Sequence, residues 1–270
     1  MWVALYPIVV LWLALPAAVL AIAWIGPFRL DRARRRVGEG DSRSLLLLIL
    51  ASAGFINLFV QMAYLQAKGV TYANAIPPAD LVIVSILSDV LAGAVMIYMT
   101  FAMRHDGLAR VGISWRHARA SLGQAPAYLV LAYPLVILAS AATEYVWSRI
   151  NGGAPGEHEL IKILQEHPSR SLQWLIVVSA VVAAPMAEEL FFRGYLQTFV
   201  RELPVPPWMA ILFSSLAFTL IHQPPEIQPM IFVLALALGY VYERTGNLTT
   251  TMLMHAAFNG TNIYLALHPR

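Results

Sequence analysis

An all-α, polytopic transmembrane bundle of about eight segments is the fold class this sequence predicts, and three observations carry the prediction. Of its 270 residues, 59% are hydrophobic and only 12% charged, whereas a soluble globular domain carries about 25% charged residues. Apolar runs recur along the chain at about 20 residues, the length a helix needs to cross a bilayer. The arginines gather in alternate loops between these runs, the pattern of chains whose basic loops stay in the cytoplasm. A mean hydropathy of +0.66 agrees with all three.

Taken in order, the first run is Trp2 to Ile25. It has no basic segment before it and exceeds the core of a signal peptide, so it reads as a retained span. Leu45 to Ala67, Leu81 to Met103 and Tyr128 to Trp147 follow as spans two to four. Asn151 to Arg170 then mixes a Gly-Gly turn and Pro155 with a short amphipathic helix around Leu160 to Leu164. Beyond it, Leu172 to Ala184 runs through Glu188 to Val200, and Trp208 to Ile221, Met230 to Tyr242 and Leu248 to Leu267 complete the set. Some of these last runs are short for full crossings. Residues 1–150 thus form amino-terminal transmembrane helices and residues 172–267 a motif-rich transmembrane region, within one membrane domain without internal repeats.

Orientation follows from charge. Arg29, Arg32, Arg34, Arg35, Arg36 and Arg43 fill the first loop, and Arg104, Arg110, Arg116 and Arg119 the third, so both are expected in the cytoplasm and the amino terminus outside. The net charge of +3 and isoelectric point near 9.3 suit an anionic inner leaflet. Membrane lipids, not nucleic acid, are the expected partners of that charge, in the cytoplasmic membrane of a bacterium. The absence of cysteine excludes disulfides, thiolate metal ligands and a cysteine nucleophile.

Ionisable residues inside an apolar span cost roughly 2.5 to 3.5 kcal/mol each, so a cluster of them points to function. Three polar sets occupy the last third: Glu188 and Glu189 with Arg193, Phe218 with His222, and His255 with Asn259. On a helix Glu188 and Glu189 face about 100° apart, whereas Glu189 and Arg193 lie one turn apart on one face. Glu189 is therefore expected to pair with Arg193, leaving Glu188 to face a cavity. Phe218 and His222 share the same spacing before Gln223-Pro224-Pro225 stops the helix, and His255 and Asn259 repeat it. The parts suit two chemistries. In one, Glu188 and His222 deprotonate a water while His255 and Asn259 stabilise an oxyanion. In the other, His222, His255 and Glu188 ligate a metal such as zinc, although the chain has no His-Glu-x-x-His signature.

The ordered set Glu-Glu-x-x-x-Arg, Phe-x-x-x-His and His-x-x-x-Asn, over roughly Ala180 to Asn262, resembles the CAAX prenyl protease and bacteriocin-processing (CPBP, or Abi) family of intramembrane proteases. The resemblance implies hydrolysis of a peptide bond in a hydrophobic or lipid-modified substrate, in a cavity reached from the cytoplasm or laterally from the bilayer. It makes Glu188 the base, His222 its partner, Glu189 and Arg193 the supporting pair, and His255 with Asn259 the oxyanion or metal group; Phe218, one turn from His222, is expected to support the site by packing. The family is described both as metalloproteases and as glutamate-dependent enzymes.

For Glu188 and His222 to share a water, two straight crossings would not serve, because the residues would lie near opposite membrane faces. A helix break at Pro185 is the expected remedy. Two rival readings accompany the protease: a non-catalytic immunity or scaffold protein binding a peptide or partner in the same cavity, and a small-solute or proton-coupled transporter using Asp89, Glu144 and the motif carboxylates, for which the chain lacks the symmetric halves.

Overall fold

The computed structural model describes residues 30, 52, 56, 59–64, 66–69, 77–103, 107–113, 115–152, 156, 159–166, 169–222 and 224–268. The run from Trp2 to Ile25, the first arginine loop and much of Leu45 to Ala67 lie outside them. Among the described residues every regular element is helical: α1 (Pro78–Met103), a short 3₁₀ turn (Gly107–Val111), α2 (Trp115–Asn151), α3 (Glu159–Glu166), α4 (Arg170–Glu202), α5 (Pro207–Leu220), α6 (Gln228–Thr245) and α7 (Leu248–Leu267). Four helical stretches among them are long and apolar enough to cross a membrane: Ala79–Ala102, Ala118–Ile150, Arg170–Glu202 and Pro225–Thr245.

These helices are not conventionally amphipathic, because both their surroundings are apolar. α1 and α2 turn Tyr98, Phe101, Leu122, Val130, Leu131 and Leu138 outward, a large exposed apolar surface that a bilayer covers. α6 is more enclosed. Phe232, Leu234, Ala235 and Leu238 on it are buried, against Ile211 and Leu212 of α5 on one side and Ala125, Ala132 and Val136 of α2 on the other.

α4 corrects the expectation of a break at Pro185. The helix runs without interruption from Arg170 to Glu202, but widens twice into π-type turns, at Ser179–Ala183 and Leu190–Gln197. The first wide turn explains how Pro185 is tolerated. The Ala184 N–H reaches back to the Ser179 carbonyl, and Pro185 has no N–H to offer the next carbonyl, Ala180. Nothing in the helix then needs to break; one carbonyl is simply left over. In the second wide turn, hydroxyls accompany the main chain. Ser214 Oγ of α5 donates to the Phe192 carbonyl at 2.8 Å and Thr198 Oγ1 to the Arg193 carbonyl at 3.1 Å, contacts that satisfy polar backbone where lipid offers no donor.

α5 packs antiparallel on α4 with Ser214 beside Phe192, so four residues further along each helix Phe218 comes level with Glu188. With only 14 residues, α5 ends soon after. His222 therefore reaches the same region as Glu188 with no break in either helix.

The other end of the bundle is tied by glycines. Gly246 ends α6 in the left-handed region at φ 69°, a common helix stop. Gly112, at φ 87°, lies so close to it that a Cβ would stand 2.1 Å from the Gly246 carbonyl oxygen. Next to them Asn247 caps α7 by accepting from the Thr250 N–H at 3.3 Å and donates to Ser121 of α2 at 2.9 Å. Helices α2, α6 and α7 are thereby locked at one level.

Candidate active site

The three polar sets meet around a single buried guanidinium. Arg193 and Glu189 both have fully buried side chains and pair at 2.9 Å, one turn apart on α4. The second terminal nitrogen of Arg193 donates to the Ala235 carbonyl of α6 at 3.1 Å. Two charges inside a bundle need partners of this kind, since an isolated one costs several kcal/mol in desolvation.

Glu189 also holds the histidine of α7. Its Oε1 lies 3.0 Å from His255 Nδ1, so a proton on Nδ1 is donated to the carboxylate. That contact turns His255 Nε2 toward Glu188, whose Oε2 is 3.9 Å away. Such a separation is too long for a direct hydrogen bond and suits a bridging water or reacting atom. The two neighbouring glutamates thus differ sharply: Glu189 is enclosed, whereas Glu188 keeps 23% of its side chain exposed and lines a cavity.

Phe218 occupies the centre. Its ring lies under the Arg193 guanidinium at 4.6 Å, 4.4 Å from the His222 ring and 5.7 Å edge-on from the His255 ring. Phe192 packs against it from α4 at 5.1 Å. One apolar ring therefore aligns a cation and both imidazoles. His222 is held from its own helix, because Nδ1 lies 2.7 Å from the Phe218 carbonyl. A carbonyl only accepts, so Nδ1 carries the proton and Nε2 is the acceptor nitrogen in the neutral ring.

Asn259 serves α4. Its Nδ2 donates to the Ala180 carbonyl at 2.8 Å, the carbonyl left over by the wide turn and Pro185. Its side chain, one turn from His255, lines the same cavity.

The cavity measures about 760 Å³ and is lined by Glu188, His222, His255 and Asn259 together, a volume within the usual range for ligand sites. Its far wall comes from helices without motifs: Asp89, hydrogen-bonded by Ser85, from α1, and Ser140, Thr143 and Glu144 from α2. Asp89 and Glu144 were legible only as isolated acids in apolar runs; their meeting with Glu188 depends on packing that no local spacing encodes. Ser179 was missed. It sits in the first wide turn, lines the cavity and is 1% exposed, with no hydrogen-bond partner for its hydroxyl among the described residues. Pro185, six residues on, was the available signal of that turn.

Among the described residues no three His, Asp or Glu side chains come together as a metal-holding set. Both histidines give Nδ1 to protein oxygens, a contact that metal-bound and metal-free imidazoles share, and Glu188 Oε2 lies 3.9 Å from His255 Nε2. The expected zinc set of His222, His255 and Glu188 is not among such groupings in the described residues.

A family model described as type II CAAX prenyl endopeptidase Rce1-like matches residues 170–261. That stretch runs from the start of α4 to beyond Asn259 and contains all three polar sets. No curated protein and no solved structure matches the chain. Membership of this family implies an intramembrane protease. The domain at residues 170–261 belongs to the Rce1-like type II CAAX prenyl endopeptidase family, the CPBP or Abi group of membrane proteins.

Proposed function

We propose that the protein is an intramembrane endopeptidase in which Glu188 activates a water for attack on a peptide bond of a hydrophobic or lipid-modified, membrane-associated substrate. The observation that carries this reading is the asymmetry of the paired glutamates. Glu189 is fully enclosed between Arg193 and His255, whereas Glu188 reaches the cavity 3.9 Å from His255 Nε2.

Glu188 accepts a proton from water as the hydroxide oxygen bonds to the scissile carbonyl carbon. His222, with its acceptor nitrogen Nε2, is the partner that orients that water. His255, held through Nδ1 on Glu189, and Asn259, through its second Nδ2 hydrogen, face the developing oxyanion. When the carbon–nitrogen bond breaks, the proton held on Glu188 passes to the leaving amine. Glu189, Arg193 and Phe218 do not touch substrate in this scheme. They position the two imidazoles, and the enclosed cavity strengthens each polar contact by limiting bulk water.

Purified protein in detergent, given membrane-anchored and lipidated peptides, tests the assignment. Glu188→Gln should remove cleavage by at least about a hundredfold, the scale of general-base loss, while leaving the unfolding temperature within a few degrees of the parent. Cleavage that survived in folded Glu188→Gln would falsify the role of Glu188 and favour the non-catalytic peptide-binding reading.

A further inference from the structure

The far wall of the cavity suits a cation, and no described residue supplies one. Four carboxylates line the space, those of Asp89, Glu144, Glu188 and Glu226, and no lysine or arginine lines it. Glu188 has the His255 imidazole beside it. Asp89 on α1 and Glu144 on α2 differ, since among the described residues neither takes part in an ion pair. Asp89 has only the neutral hydroxyl of Ser85. Both acids lie in helices of spanning length, where an unpaired carboxylate is costly and seldom kept without a use.

Two hydroxyls of the same lining add to this. Thr143 is buried and donates its hydrogen to the Ala139 carbonyl at 2.8 Å, so its oxygen has only lone pairs left to offer. Ser179, in the first wide turn of α4, is 1% exposed, and its hydroxyl has no partner among the described residues. Thr100, Thr219 and Thr245 each turn the hydroxyl back onto a carbonyl one turn earlier in their own helix. Ser179 does not, and it lines the cavity. A buried hydroxyl left open costs stability unless something in the cavity bonds to it. Carboxylates and acceptor oxygens from three helices thus line one chamber, and the group that complements them is an ammonium or guanidinium, rich in N–H donors and without an acceptor.

Position ties this wall to the chemistry. Asp89 is close enough to Glu188 for their two charges to repel, so a cation held by Asp89 stands beside the group that activates water and offsets that repulsion. The chamber, at about 760 Å³, has room for a long side chain together with peptide backbone. We propose that Asp89, Glu144, Thr143 and Ser179 form a subsite for a cationic side chain, and that the substrate is a membrane-associated peptide with a lysine or arginine next to the scissile bond. The placing of that bond rests on the peptidase reading; the preference for a cation does not.

Binding and cleavage by the purified full-length protein in detergent test the subsite separately. Matched apolar peptides, acetylated at the amino terminus so that the side chain is the sole cation, carry one arginine or its uncharged isostere citrulline, scanned along the segment. Folded Glu188→Gln protein should bind the arginine peptide at least about tenfold tighter at one position, the scale of a buried charge contact. Adding Asp89→Asn or Glu144→Gln should remove most of that gain and leave citrulline binding within about twofold, because only the charge contact is lost. Both substitutions keep size and hydrogen-bonding capacity, and unfolding temperatures close to the parent's check that each variant folds. In the parent, kcat/KM should favour arginine at positions beside the cut. Equal binding of the two peptides at every position, or an arginine preference that survives with both acids replaced, overturns the subsite, and if the parent still cuts both peptides the peptidase reading stands without it. A preference in cleavage confined to positions remote from the cut overturns the placing beside the scissile bond. An arginine preference in binding, lost with the acids but accompanied by no cleavage in the parent, supports the subsite and counts against the peptidase reading.

Discussion

At the scale of single residues, Phe218 has more consequence than its chemistry suggests. As a sequence letter it is an apolar residue at the end of an apolar helix, and only its spacing from His222 marks it. In the folded chain its ring meets Arg193, His222 and His255 at once. Phe218→Leu keeps most of the apolar volume but removes the face that the guanidinium and imidazoles use. The expected cost is about 1–2 kcal/mol of stability, the range of a desolvated cation–ring contact, with kcat falling further than KM because positioning, not binding, is lost. Thermal unfolding and steady-state kinetics on a cleavable peptide check both halves. Glu189 with Arg193 was legible in advance, since four residues on one helix fix their proximity. The contact of His255 with Glu189 was not, because 66 positions separate them and only tertiary packing closes that distance.

At the scale of the element, α4 shows where local rules succeed and where they fall short. A proline in a long apolar helix, just ahead of two glutamates, correctly signals that backbone groups are released there. It does not say how, and the expected break is replaced by a wide turn that keeps the helix whole. The freed Ala180 carbonyl is then taken by Asn259. Pro185→Ala would return an N–H within reach of that carbonyl, so the two sites are coupled. We expect Asn259→Leu to cost about 1 kcal/mol in the parent, typical of an interhelical hydrogen bond in a membrane protein, and clearly less in the Pro185→Ala background. A double-mutant cycle on unfolding in detergent reads the difference, and equal costs in both backgrounds would sink the account. The bounds of α1, α2, α3 and α7 followed hydropathy within a few residues of the predicted runs, except that α2 begins at Trp115, well before Tyr128. Polar starts such as Trp115 to Gln124 are helical because Ser121 and Gln124 bond to Asn247 and Thr250 of neighbouring elements, a reason that hydropathy does not contain.

At the scale of the whole molecule, the family match and the cavity do not have the same extent. Residues 170–261 supply Glu188, His222, His255 and Asn259, but Asp89 and the polar wall from Ser140 to Glu144 come from α1 and α2. Those two helices are held at the opposite end by the contact of Gly112 with Gly246. Gly112→Ala places a Cβ where the Gly246 carbonyl oxygen already lies 2.1 Å away and strains a positive φ besides. A loss of unfolding temperature of at least several degrees is expected there, while Gly123→Ala, whose Cβ would meet nothing within 4 Å, should leave the temperature unchanged or higher. The glycine clasp also bears on how the polypeptide could be divided. Two fragments separated in the connection after α2, one ending near Gly152 and the other beginning near Gly156, would each keep one glycine of the clasp and one side of the α2 interface with α6 and α7. Co-expressed, they should find each other and rebuild the chamber; made alone, the carboxy-terminal fragment would carry every motif and still lack a wall.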